Sequence, residues 1–191
     1  IKDGKQIKGG IESHLKAGIA MVPRNRKERG ILNDLSILDN HSMGFFNTKL
    51  KSLMISPKKE RERFRRRQEK LSIRADRPTN PITSLSGGNQ QKVILGRWLE
   101  ADADILLFDN PTQGIDVGTK YEIYKLMLSL SAQGKSIIMF SSEFAEIMKV
   151  SDRCIVMFRG EINKILNRDE ISEESLMYYS TGAIIEERKH A

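Results

Sequence analysis

The sequence is poor in cysteine, with Cys154 alone among 191 residues, so no disulfide can form within the chain. Cys154 stands beside Ile155, Val156 and Met157, where a thiol is expected to pack as a small buried hydrophobe, and a single free thiol fits a reducing compartment. Aromatic residues make up only 6%, and nothing resembles a platform on which nucleic-acid bases could stack. No apolar run approaches the roughly 18 residues that cross a bilayer, and Ile1-Lys2-Asp3-Gly4-Lys5 lacks the apolar centre of a signal peptide, so a soluble, unexported chain is expected. His14, His41 and His190 are scattered without ligand spacing, which argues against a zinc site. Also missing is any Gly-x-x-x-x-Gly-Lys-Ser/Thr segment, the loop whose amides and lysine cradle phosphates.

What is present suffices for one domain with a substantial core, at 39% hydrophobic residues. The formal net charge is +7, concentrated between Lys58 and Lys70. Glu60, Glu62 and Glu69 interrupt that stretch and Phe64 is its one aromatic, the pattern of a solvated helix face with local ion pairs rather than a nucleic-acid surface. No nucleic-acid partner is expected.

Along the chain, residues 1–7 with a turn at Asp3-Gly4 suggest the remainder of a hairpin, so the sequence is expected to begin inside a domain. A short helix around Ile11 to Ala17 leads to an apolar strand, Ile19-Ala20-Met21-Val22, stopped by Pro23. From Leu35 to Ile73 the pattern is helical, with Pro57 opening the basic segment. Ile105 to Phe108 and Ser136 to Phe140 are continuous apolar runs, expected as parallel strands buried on both faces. Between them Tyr121, Tyr124, Met127 and Leu128 fall at helical spacing, with Gly134 at the C-terminal cap. Arg153 to Leu166, turning at Arg159-Gly160-Glu161, predicts a hairpin, and Ser172 to Tyr179 a closing helix.

Two segments carry chemistry. Leu85-Ser86-Gly87-Gly88-Asn89-Gln90-Gln91 places a turn-forming Ser-Gly-Gly at the start of a helix running through Ile94, Leu95, Trp98 and Leu99. Glycines allow close backbone approach, the first amides of a helix have no internal partners, and its dipole favours an anion there. Taken alone, Ser-Gly-Gly reads more readily as a plain serine-capped helix after a loop. Some twenty residues on, the strand ending in Asp109 is followed by Asn110-Pro111-Thr112-Gln113-Gly114-Ile115-Asp116. A carboxylate at the C-terminal edge of a parallel strand is placed to hold magnesium, where α/β sheets bind ligands.

In this order and spacing, the two segments resemble the ATP-binding cassette family, with its Leu-Ser-Gly-Gly signature, its Walker B strand and Asp, and its D-loop. The run through Lys92-Val93 and Pro111 to Gly118 is similar to the second cassette of tandem ATPases from importers of ribose, galactose, xylose or related nucleosides. Arg26-Lys27-Glu28-Arg29-Gly30, Ser141-Ser142-Glu143-Phe144-Ala145-Glu146-Ile147 and Ser151-Asp152-Arg153 extend the likeness. The resemblance implies an α/β fold, a P-loop NTPase-like cassette core with a mostly parallel sheet. A helical subdomain would span about 35–81 and the Walker B to C-terminal core about 82–191, without the phosphate-loop strand and loop. It implies nucleotide contacts from Leu85, Ser86, Gly87, Gly88, Asn89, Gln90, Asp116 and Arg24, and a magnesium ligand at Asp109. ATP and Mg2+ would be bound in the complete tandem protein. The implied partners are a first cassette of the same polypeptide, membrane permease subunits and, indirectly, an extracytoplasmic solute-binding protein, at the cytoplasmic face of a membrane.

Departures from the family pattern matter equally. The Glu that follows the Walker B Asp is replaced by Asn110, whose neutral amide is too weak a base to take a proton from water. The switch His is replaced by Ser142, and the Q-loop Gln or Glu by Arg24. The coherent reading is a cassette that completes its neighbour's site through the signature while its own site is degenerate. The parent protein would then be an ATP hydrolase, and the isolated chain inactive and open to self-association. A soluble cassette ATPase and a non-catalytic interaction module are the competing readings.

Overall fold

The computed structural model describes residues 4, 6–49 and 56–183. Most of the 1–7 segment expected as a hairpin remnant lies outside them. The chain divides into two compact units, Ile1–Phe140 and Ser141–Ala191.

In the first unit, α1 (Ile11–Lys16) leads into β1 (Ile19–Val22), followed by a π-helical turn (Arg26–Gly30), α2 (Ile37–Lys49) and α3 (Pro57–Lys70). A short 3-10 turn (Ile82–Ser84) precedes α4 (Gly87–Glu100), β2 (Ile105–Asp109), α5 (Val117–Ala132) and β3 (Ser136–Phe140). Pro57 opens α3 at a position where its missing N–H costs nothing. As expected, the basic helix carries local ion pairs, Arg63 with Glu60 and Arg65 with Glu69, while Phe64 turns inward.

Among the described residues the strands form one parallel sheet in the order β1-β2-β3, pairing Val22 with Phe108 and Phe108 with Met139. Alternate residues Ala20, Val22, Leu106 and Phe108 are buried. For β3 the expectation of a strand covered on both faces fails, since Ile138 is 50% exposed and Phe140 51%. A continuous apolar run signals a strand, but it cannot tell whether helices lie on one side of it or two.

Helix α4 is the hub of this unit. Ten of its residues are buried, among them Gln90, Gln91, Lys92 and Arg97. Polar groups at such depth must be partnered. Lys92 donates to the Ser72 carbonyl at 3.1 Å and pairs with Glu122. Arg97 donates to the carbonyls of Asn40 at 2.6 Å and Gly30 at 2.7 Å, and to Asn40 Oδ1 at 3.1 Å. Asn40 in turn donates to the carbonyls of Leu32 and Ser36, so one arginine joins α2, the π-helical turn and α4. The helices meet so closely that a Cβ on Gly44 would run into the Arg97 carbonyl.

The second unit contains α6 (Phe144–Val150), an antiparallel pair β4 (Arg153–Phe158) and β5 (Glu161–Asn167), a 3-10 turn (Arg168–Glu170) and α7 (Glu173–Ser180). Val156, Leu166 and Leu176 form its core. Cys154 packs against that core but is only half-buried, not sealed as expected, and burial still pushes its thiol pKa up. The hairpin turn is closed by left-handed Arg159 and Gly160.

Candidate functional site

Ser86 caps α4, as its position before two glycines requires. Its Oγ accepts from the Asn89 amide N–H at 3.4 Å and from Asn89 Nδ2 at 3.0 Å. A hydroxyl that accepts twice still has its own proton to donate, and Ser86 is exposed. Asn89 Oδ1 accepts from the backbone N–H of Arg74 at 2.8 Å, which fixes the first turn of α4 to the segment after α3. Leu85 is extended and half-buried, and its carbonyl accepts from Gln90 Nε2 at 3.1 Å. Gln90 is therefore committed inside the protein: buried, its amide also near the Ile82 carbonyl, its Oε1 accepting from Arg26. The structure gives it the work of a brace beneath the turn.

Gly88 lies against the start of α5, where a Cβ would come within 2.6 Å of Thr119 Cγ2. Asp116 caps α5, its carboxylate accepting from the Thr119 N–H at 2.9 Å and the Thr119 hydroxyl at 2.7 Å. Those bonds hold its carboxyl below the usual aspartate pKa. The two helix starts thus adjoin through Gly88 and Thr119.

At the end of β2, Asp109 Oδ2 accepts from Arg24 Nε at 3.0 Å, and Oδ1 lies 3.4 Å from Asn110 Nδ2. Asn110 takes a left-handed backbone (φ 45). Its N–H donates to the Phe140 carbonyl at 2.9 Å and its own carbonyl accepts from Gln113. Asparagine is among the few residues that tolerate this conformation. A cavity of about 490 Å3 opens beside it, lined by residues 23–27 with Gln91, Asn110, Gln113 and Gly114. Three of its walls are the cationic side chains of Arg24, Arg26 and Lys27.

Magnesium beside a nucleotide is commonly held by one or two carboxylates together with phosphates. Asp109 supplies one carboxylate, but a guanidinium already neutralises it, and no cluster of three His, Cys, Asp or Glu side chains forms among the described residues. As it stands, the donor set offers a metal one carboxylate, and that one is paired with Arg24. The residue that follows Asp109 is Asn110, whose neutral amide cannot accept a proton from water. Ser142 belongs to the second unit, where it is exposed; its neighbour Ser141 donates to Glu146 at 2.7 Å.

Against this geometry, a family model described as ABC transporter matches residues 1–113. The chain belongs to the ABC transporter ATPase family. The ABC fold is seen also in solved structures. The dimeric cassette MJ0796 bound to ADP and Pi superposes with a TM-score of 0.66 at 22% identity, over 78% of this chain and 62% of that one. The cassette MJ1267 gives 0.70 at 21% identity, over 92% and 70%. Closer in sequence is the ribose import ATP-binding protein RbsA of Halalkalibacterium halodurans, 45% identical over 182 residues, covering 94% of this chain and 36% of that protein. The xylose import ATP-binding protein XylG of Pseudomonas savastanoi pv. phaseolicola is 42% identical over 163 residues, covering 85% and 32%. This ABC chain spans about a third of the length of those relatives. Among its described residues no helix is long and apolar enough to cross a membrane.

Sequence reasoning found both turns but missed what ties them together. Arg26 donates from Nε to Gln90 Oε1 at 3.3 Å, from Nη1 to the Gln113 carbonyl at 3.1 Å and from Nη2 to the Gly114 carbonyl at 3.3 Å. The resemblance marked its segment, Arg26 to Gly30, yet no periodicity announces a π-helical turn, and a charged residue after a strand reads as solvated.

Proposed function

We propose that this chain is the second ATP-binding cassette of a tandem importer of simple sugars such as ribose or xylose, or of nucleosides, and that it serves hydrolysis by lending its signature turn to ATP held on the first cassette. The observation that carries the reading is the contrast between the two turns. Ser86 keeps a free hydroxyl proton at an exposed, braced helix start, whereas both oxygens of Asp109 are engaged within the chain. Ser86, Gly87 and Gly88 would meet the terminal phosphate, an anion suited to unpaired helix amides. ATP brings magnesium to the first cassette, and that cassette supplies the metal's ligands and the attacking water's base. The site built on Asp109 binds nucleotide but barely hydrolyses it.

The names of the curated relatives, ribose and xylose import ATP-binding proteins, support the transport assignment. Permease subunits are then the partners through which cassette closure acts, with an extracytoplasmic binding protein delivering the solute, and the chain works at the cytoplasmic face of the membrane. In isolation it would be inactive, and its half-covered sheet, with Ile138 and Phe140 exposed, favours self-association. Ser86→Arg in the complete tandem protein places a bulky side chain where the phosphate should seat, and ATP turnover is expected to fall by about 100-fold or more. Undiminished turnover would remove the reading.

A further inference from the structure

We propose that Arg26 is a positioning residue that clamps the signature turn to the turn after β2, setting the spacing of the phosphate-facing amides before nucleotide arrives. The proposal rests on the trans role of the signature given above.

Arg26 opens the π-helical turn directly after Asn25, whose left-handed backbone (φ 53, ψ 61) swings the chain away from the line of β1. The far end of that turn is pressed on α4: a Cβ at Gly30 would come within 2.8 Å of Ile94 Cδ1. The turn therefore has a fixed seat, and from it the guanidinium extends between two loops that carry chemistry. Its three nitrogens donate to acceptors from both, Gln90 Oε1 on one side and the Gln113 and Gly114 carbonyls on the other. A planar fork can serve three such acceptors at once; a lysine ammonium on a flexible stem cannot hold the same plane. The side chain is half-buried, and burial lowers its pKa.

The clamp also gives Gly87 a second reason to be glycine. Arg26 Nη2 occupies the space a Cβ there would need. The same residue that lets phosphate approach the backbone on one side leaves room for the arginine on the other.

The test uses Arg26→Ala and Arg26→Lys in the full chain together with its partner cassette. Amide exchange is followed at Asn89, Gln90 and Gln113, whose N–H groups are bonded within the two turns to Ser86 Oγ, the Ser86 carbonyl and the Asn110 carbonyl. Both variants should lose about 10-fold protection at these three amides while Leu106 to Phe108 in β2 keep theirs. ATP turnover should fall about 10-fold with KM for ATP moving less than about two-fold, because the arginine acts on closure and not on first capture of ATP. Wild-type protection at the three amides would overturn the clamp, as would protection lost equally throughout β2 and α4. Full rescue by lysine would overturn the fork, and unchanged turnover with protection lost would overturn its part in hydrolysis. Exchange is read without hydrolysis, so an inert Ser86→Arg would sink the trans role while the amides still judge the clamp.

Discussion

The turn before α4 and the turn after β2 are neighbours in one unit, yet they spend their polar groups differently. At the first, the braces tie the turn to its own unit: Gln90 to Leu85, Asn89 to Arg74, and the buried Arg97 beneath, to Gly30 and Asn40. Ser86 itself is exposed, and on the proposed reading it and the first helix amides face an anion from outside the chain. At the second, the one carboxylate is bonded to Arg24, and the residue after it is a neutral amide in a left-handed backbone. A helix end kept rigid and electropositive can act on a ligand bound elsewhere. A strand end whose charge is consumed internally has little left for a metal or a water.

The comparison can be broken by attacking the bed of α4. His41 lies wholly buried, edge-on to Phe64 and against Gly96, with neither ring nitrogen partnered. Burial, followed by Arg67, Arg97 and Arg63, lowers its pKa from 6.5 to about 3. The unfolded chain therefore takes up this proton first: the contribution is complete above pH 6.5 and is lost as pH falls toward 3. Loss on the order of 4 kcal/mol is expected across that window, and urea denaturation of His41→Phe should show a correspondingly flatter pH dependence.

Next in size is Arg97→Ala, which strips donors from the buried carbonyls of Asn40 and Gly30; about 3 kcal/mol should be lost in urea titration. Gly88→Ala drives a Cβ into Thr119 and should cost about 1–2 kcal/mol by the same measurement. At the other turn the effects should be smaller. Asn110→Glu puts a less tolerant residue at positive φ, costing about 1 kcal/mol in thermal denaturation. Asp109→Asn breaks a pair whose arginine is 60% exposed, and a change of about 0.5 kcal/mol is expected.

Much of this was legible in the sequence, because helix periodicity, Pro57, Pro23 and the Ser-Gly-Gly start are local signals. Asp109 at a strand end and Ser86 at a helix cap stand where their neighbours in sequence predict. What could not be read was pairwise and distant. Arg24 meets Asp109 across 85 positions and Arg26 meets Gln90 across 64, and nothing in either segment names its partner. The inward turn of Gln90 was hidden for the same reason. The one-sided burial of β3 depends on how helices are shared between sheet faces, which an apolar run does not encode.

The most direct test of the central contrast is to measure ATP turnover of Ser86→Arg and Asp109→Asn side by side in the complete protein with its permease. The account predicts that the serine variant falls to about one-hundredth of wild type while the aspartate variant stays within about two-fold. A silent Ser86 beside a crippling Asp109 would contradict it.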